Sequence, residues 1–229
     1  GEWIAYTSRT LPRYRAIHLM RRDGGEDRRL VLRNGGSGLA WTPDGTQLVY
    51  DEPDVYQTFT VRSDLRVVDR RSGRSRRLTR GQRARDPDVS PDGATVVFVR
   101  QDSLRSELAV VALTGGPARD LTRSESGVQW SGPRFSPDGL FIVASRFVPG
   151  GWLDVVVLDA GTGEIVERLT EDRAKDVEPA WTADGTHVVA DALRLLGARV
   201  VRDVDHGSRL DHGRLPRLTR PPGSGPGGY

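Results

Sequence analysis

Along this chain, short runs of β-branched and aliphatic residues alternate with tight polar reversals. Four reversals set the register: Thr42-Pro43-Asp44-Gly45, Ser90-Pro91-Asp92-Gly93, Ser136-Pro137-Asp138-Gly139 and Thr182-Ala183-Asp184-Gly185, with aspartates 48, 46 and 46 residues apart. In such a turn proline presets φ, aspartate accepts from neighbouring backbone N–H groups, and glycine takes the positive φ that lets a hairpin reverse. A large apolar residue (Trp41, Val89, Phe135, Trp181) precedes each turn, and in three repeats a proline (Pro87, Pro133, Pro179) stands two residues earlier. These segments read as short inner strands.

The β-rich runs 47–50, 95–99, 141–144 and 187–190 follow the turns and predict second strands. Third strands are expected at 65–68, 108–111, 153–157 and 198–201, and fourth runs end in Leu78-Thr79, Leu121-Thr122, Leu169-Thr170 and Leu218-Thr219. Four antiparallel strands per repeat define a propeller blade. The expected fold is therefore all-β: a β-propeller of four-stranded antiparallel blades, about five of them present and the first incomplete. The propeller spans 1–219, with blades near 1–33 (partial), 34–79, 80–122, 123–170 and 171–219. Because Gly1 aligns with the turn glycines, the chain is expected to start inside a turn and to be part of a larger propeller. The Pro/Gly-rich segment 220–229 reads as a linker or tail.

The succession of proline, one residue, an apolar or aromatic residue, Ser/Thr-Pro-Asp-Gly, a β-run and a closing Arg-Leu-Thr is clearest at 132–146 (GPRFSPDGLFIVASR) and 177–190 (VEPAWTADGTHVVA). It resembles the TolB-like propeller repeats, distant relatives of WD-type repeats, over nearly the whole chain. The resemblance implies radial blades and a periplasmic or otherwise extracytoplasmic module that binds a protein or peptide in the bacterial envelope without catalysing a reaction. Similar repeats also serve as accessory, substrate-gating propellers beside prolyl-oligopeptidase-type peptidases, the tricorn protease and amidohydrolases, and that is the alternative reading.

Composition adds constraints. The 27 glycines and 14 prolines disfavour long helices, while 36% hydrophobic and 28% charged residues favour a folded chain. No cysteine is present, which excludes disulfides and thiolate metal ligands. With 34 basic against 31 acidic residues the net charge is only +3, too small a surplus to favour nucleic acid. No apolar run is long enough to span a membrane as a helix.

Strand alternation puts the first-to-second and third-to-fourth connections on one rim, and the second-to-third and blade-to-blade connections on the other. The second rim varies between repeats, and variable loops on a rigid scaffold carry binding. Aromatic and arginine anchors there are Tyr56, Phe59, Arg85, Trp130, Phe147, Trp152 and Arg173. No catalytic, metal or cofactor site is expected. Gly35-Gly36-Ser37-Gly38-Leu39 departs from the nucleophile elbow at its last position. Residues 223–228 fit G-x-G-x-x-G without the strand and helix that motif needs. The Asp205-His206 and Asp211-His212 pairs read as polar turns, and the arginines of 70–77 as a solvated edge.

Overall fold

The computed structural model describes residues 1–10, 14–56, 60–171, 173–193 and 200–203, and among these every regular element is a strand. Strands β1 (Trp3–Thr10), β2 (Tyr14–Arg21) and β3 (Arg28–Arg33) form one antiparallel sheet. A second sheet contains β4 (Leu39–Trp41), β5 (Gln47–Tyr56), β6 (Thr60–Asp69) and β7 (Ser75–Arg77), paired in chain order. A third repeats that order with β8 (Ala84–Val89), β9 (Thr95–Gln101), β10 (Ser106–Ala112) and β11 (Arg119–Asp120). Next come β12 (Gln129–Phe135), β13 (Phe141–Phe147), β14 (Leu153–Asp159) and β15 (Ile165–Arg168), then β16 (Lys175–Trp181), β17 (His187–Leu193) and β18 (Val200–Asp203). A single parallel bridge, Leu153 to Lys175, joins these last two groups into one hydrogen-bonded sheet.

The apolar runs explain the stacking. In β9, Val96, Val97, Phe98 and Val99 are all buried. Val96 and Phe98 pack on Val49, Leu65 and Val67 of the preceding sheet, whereas Val97 and Val99 pack on Trp130, Ile142 and Ala144 of the following one. Successive side chains on a strand point to opposite faces, so an uninterrupted apolar run marks a sheet covered on both sides. The same holds for Ile142, Val143 and Ala144 of β13, which divide between the third-sheet contact and the contact with Val188. The core is thus a series of layers between sheets, as a propeller requires.

The four expected turns form on one rim. Thr42 Oγ1 donates to Asp44 Oδ1 at 2.6 Å and accepts from Gln47 N at 3.0 Å, and Asp44 Oδ1 accepts from Thr46 N at 3.0 Å. Ser90, Ser136 and Thr182 repeat the pattern, each donating to its own turn aspartate at 2.5 Å. The turn hydroxyls lower the pKa of Asp44 and Asp184 to about 2 and shift that of Asp92 in the same direction. A Cβ placed on Gly93, Gly139 or Gly185 would lie 3.6, 3.4 or 3.5 Å from Pro43, Pro91 or Pro137, so each turn rests on the one before it.

Two expectations change in detail. The ladder strands β7, β11 and β15 end before the Leu-Thr pairs rather than on them. Leu78 N and Thr79 N both donate to Leu65 O, at 2.8 and 3.2 Å, while Thr79 Oγ1 accepts from Leu65 N at 2.8 Å; Thr122 and Thr170 close on Leu108 and Val155 in the same way. The threonine ends the ladder by satisfying both backbone groups of one residue. The arginines of 70–77 are also more than a solvated edge. Arg70 lies 5.2 Å from the Trp3 ring centroid, its carbonyl accepts from Arg28 at 2.6 Å, and Arg76 donates to Leu113 O at 2.6 Å, so this hairpin ties three sheets together.

Candidate functional site

The rim opposite the Asp-Gly turns is built from the β5–β6, β9–β10 and β13–β14 hairpins and the connections between sheets. Three inner strands, β8, β12 and β16, reach it through a bulge before a proline: the β8–β9 register shifts between Arg85 and Asp88, β12–β13 between Ser131 and Arg134, and β16–β17 between Val177 and Ala180. Asp86, Gly132 and Glu178, the residues before these prolines, have φ of 51°, 57° and 52°. The bulge lets neighbouring inner strands approach and bond. Phe135 N donates to Asp88 Oδ2 at 2.8 Å, and Trp181 Nε1 donates to Arg134 O at 3.2 Å. Burial raises the Asp88 pKa to about 6, against that hydrogen bond and the Arg134 charge.

The sequence-derived residues separate into groups. Phe147 ends β13 opposite both Gln129 and Leu153, and it is half-buried. Trp152, 46% exposed, stands beside Leu153 on the same hairpin. Arg173 is exposed, and it lies two residues before Lys175, which bridges to Leu153. These three therefore gather at one end of the β13–β14 hairpin. Tyr56 ends β5 opposite Thr60, on a separate arm. Phe59 lies outside the described residues, as do the His206 and His212 pairs and the 220–229 segment.

Arg85 and Trp130 sit in a seam between sheets. Arg85 pairs with Asp86 at 2.9 Å and donates to Gln101 Oε1 and Trp130 O, both at 3.3 Å. Trp130 is only 3% exposed and belongs to the core layer. Its Nε1 donates to Ser124 Oγ at 2.8 Å, and the Arg146 guanidinium lies 5.6 Å from its ring centroid. Its side chain thus fills the interior instead of offering a surface anchor.

Two features were missed from the sequence. The first is a carboxylate latch. Buried Asp64 accepts from Thr79 Oγ1 at 2.9 Å and from Gly81 N and Gln82 N at 2.7 and 3.0 Å. Glu107 does the same for Thr122 Oγ1 and Ser124 N, at 2.7 and 2.8 Å. Its signal was available: an acid immediately before the third apolar run, 15 residues ahead of the Leu-Thr threonine. The second is a cleft of about 700 Å³ where β6 meets the third sheet, lined by Arg62, Arg83, Arg100, Arg105 and Arg123 among others. These arginines come from distant segments, so no local pattern marks them.

The Gly35-Gly36-Ser37-Gly38 loop proves structural. Arg33, 1% exposed, pairs with Asp51 and donates to Asp51 O at 2.8 and 3.0 Å, to Gly38 O at 3.1 Å and to Thr7 Oγ1 at 3.1 Å. Gly36 has φ +77°, and a Cβ there would lie 2.5 Å from Asp51 O. Among the described residues no group of three or more His, Asp or Glu side chains is placed to hold a metal ion. No described helix is long and apolar enough to cross a membrane.

Sheets stacked face to face, with all hairpin turns of one kind on one rim, define a β-propeller, and the fold is the TolB-like one. TolB from Acinetobacter baumannii superposes with a TM-score of 0.72 at 21% identity, over 90% of this chain and 51% of that protein. A putative TolB from Agrobacterium tumefaciens gives 0.68 at 24% identity, over 85% of this chain and 72% of that one. A prolyl endopeptidase of known structure gives 0.64 at 15% identity, over 97% of this chain and 34% of that one. In sequence, the chain is 27% identical over 190 residues to the uncharacterized peptidase YuxL of Bacillus subtilis, and 35% identical over 116 residues to tricorn protease homolog 1 of Streptomyces coelicolor. Those matches cover 66% and 50% of this chain, which spans 28% and 10% of the length of these two relatives. No family model matches.

Proposed function

We propose that this chain is a propeller module, of about five blades within a larger ring, that binds a protein or peptide partner through its variable rim and itself catalyses no reaction. The observation that carries this is the contrast between rims: one is a row of equivalent turns, the other gathers exposed Trp152, half-buried Phe147 and exposed Arg173 at one hairpin. Aromatic and arginine side chains on a rigid element suit an interface anchor. The likeness to TolB supports an extracytoplasmic setting in the bacterial envelope.

A second reading is favoured by the sequence relatives, both peptidases: the chain is the accessory propeller of a hydrolase, and the same rim admits peptide substrate. Both readings need a peptide-facing rim. They part on the flanking coding sequence, where a downstream Gly-x-Ser-x-Gly serine followed by aspartate and histidine supports the peptidase. The rim itself is tested by affinity capture from an envelope extract, with the wild type beside Trp152→Ser/Arg173→Glu. The variant should keep its thermal transition and lose its partners at least about tenfold. Equal capture by both proteins overturns the rim assignment.

A further inference from the structure

We infer that the arginine-lined cleft between β6 and the third sheet is a binding site for an acidic peptide segment, engaged through carboxylates in an extended stretch of chain. It rests on the proposal above that the variable rim faces peptide. The walls come from both sheets: Arg62 from β6, Arg83 from the sheet-to-sheet connection, Arg100 from the end of β9, Arg105 from the β9–β10 turn, and Arg123 from the next connection. Three carboxylates also line the space, Asp102, Glu107 and Asp120, so five arginines face three acids.

The acids are already engaged to different degrees. Asp120 pairs with Arg100. Glu107 is held by the Thr122 and Ser124 hydroxyls at 2.7 and 2.9 Å and the Ser124 N–H at 2.8 Å, with Arg105 Nε at 3.5 Å. Asp102 meets Arg83 only at 3.7 Å and is mostly exposed. Exposed Arg123 has no ion-pair partner among the described residues. Arg123 and the loosely paired Arg83 are therefore the arginines open to an incoming carboxylate, and guanidinium forks take carboxylates in two parallel hydrogen bonds.

Two observations favour peptide over nucleic acid. Among the described residues no aromatic side chain lines the cleft, whereas single-stranded nucleic-acid sites stack bases on aromatic rings. And Leu104, 71% exposed, lies in the β9–β10 turn next to Arg105, which lines the cleft, so an apolar residue neighbouring the ligand's carboxylates has an exposed apolar side chain to cover.

The probe is a fluorescent, end-blocked peptide alternating glutamate and leucine, measured by anisotropy against the intact chain. A lysine–leucine counterpart, a short oligothymidylate and inorganic phosphate serve as competitors. The acidic peptide should bind, weaken with added salt, and lose at least about tenfold in affinity with Arg83→Glu/Arg123→Glu, while the lysine peptide does not compete. The exposed Leu104→Ser change, which touches no charge, should weaken binding several-fold and leave the thermal transition in place. Equal affinity in wild type and the arginine variant overturns the cleft site, as does better competition by oligothymidylate or phosphate than by unlabelled peptide. If the arginine variant binds normally while Trp152→Ser/Arg173→Glu loses its partners, the cleft falls and the rim stands; if neither variant changes capture, both fall.

Discussion

Asp88 gives the sharpest test of how neighbouring inner strands are held. Its carboxylate receives the Phe135 N–H across the boundary between sheets, and burial raises its pKa to about 6. In an unfolded chain an aspartate titrates near about 4. The folded state therefore binds this proton more tightly than the unfolded state does. The group's contribution is most favourable below about pH 4, is lost as the pH rises to about 6, and is constant above that. Each pKa unit between the two states corresponds to about 1.4 kcal/mol, so ionised Asp88 costs the fold roughly 2–3 kcal/mol at neutral pH. Asp88→Asn keeps an oxygen for the Phe135 N–H and cannot ionise. Any fixed cost of the amide is independent of pH, so the quantity to follow is the stability difference between variant and wild type, taken from urea unfolding monitored by tryptophan fluorescence. That difference should move in favour of Asn by about 2–3 kcal/mol between about pH 4 and pH 7.5. Two curves that stay parallel within about 0.5 kcal/mol over this range would refute the assignment of a buried, ionising carboxylate at this contact.

Arg33→Met strands Asp51 in the interior and should cost about 3–5 kcal/mol in thermal or urea unfolding; adding Asp51→Leu should recover much of it, because an uncompensated buried charge is worse than none. Thr122→Val removes the hydroxyl that receives Leu108 N–H and donates to Glu107; a loss of about 1–3 kcal/mol is expected, with Thr122→Ser close to wild type.

The turns and central strands were legible because each carries its own signal: a hydroxyl, an aspartate and a glycine at fixed offsets, then an apolar run. Strand length was not. The apolar pattern stops at Tyr50, yet β5 continues through Asp51, Glu52, Pro53 and Asp54 to Tyr56. Cross-strand pairing with β6, together with the Arg33–Asp51, Arg66–Glu52 and Arg77–Asp54 ion pairs, holds this polar extension in place. At the site, residue type misled for Trp130. An aromatic near a connection suits an interface, but its offset from Pro133 equals that of Ala84 from Pro87 and of Asp176 from Pro179, all three buried. Position in the repeat outweighed chemistry. The arginine cleft could not be read at all, since long-range stacking brings its walls together.

The seating of each turn glycine against the previous turn's proline has a consequence for how such an array grows. Every unit offers its successor the same foothold that it received, so a duplicated unit would find its place without any new contact being invented. Tandem copying in the gene then lengthens the protein one wedge at a time, while the far rim accumulates differences freely, and diversity of ligand can be gained without renegotiating the scaffold.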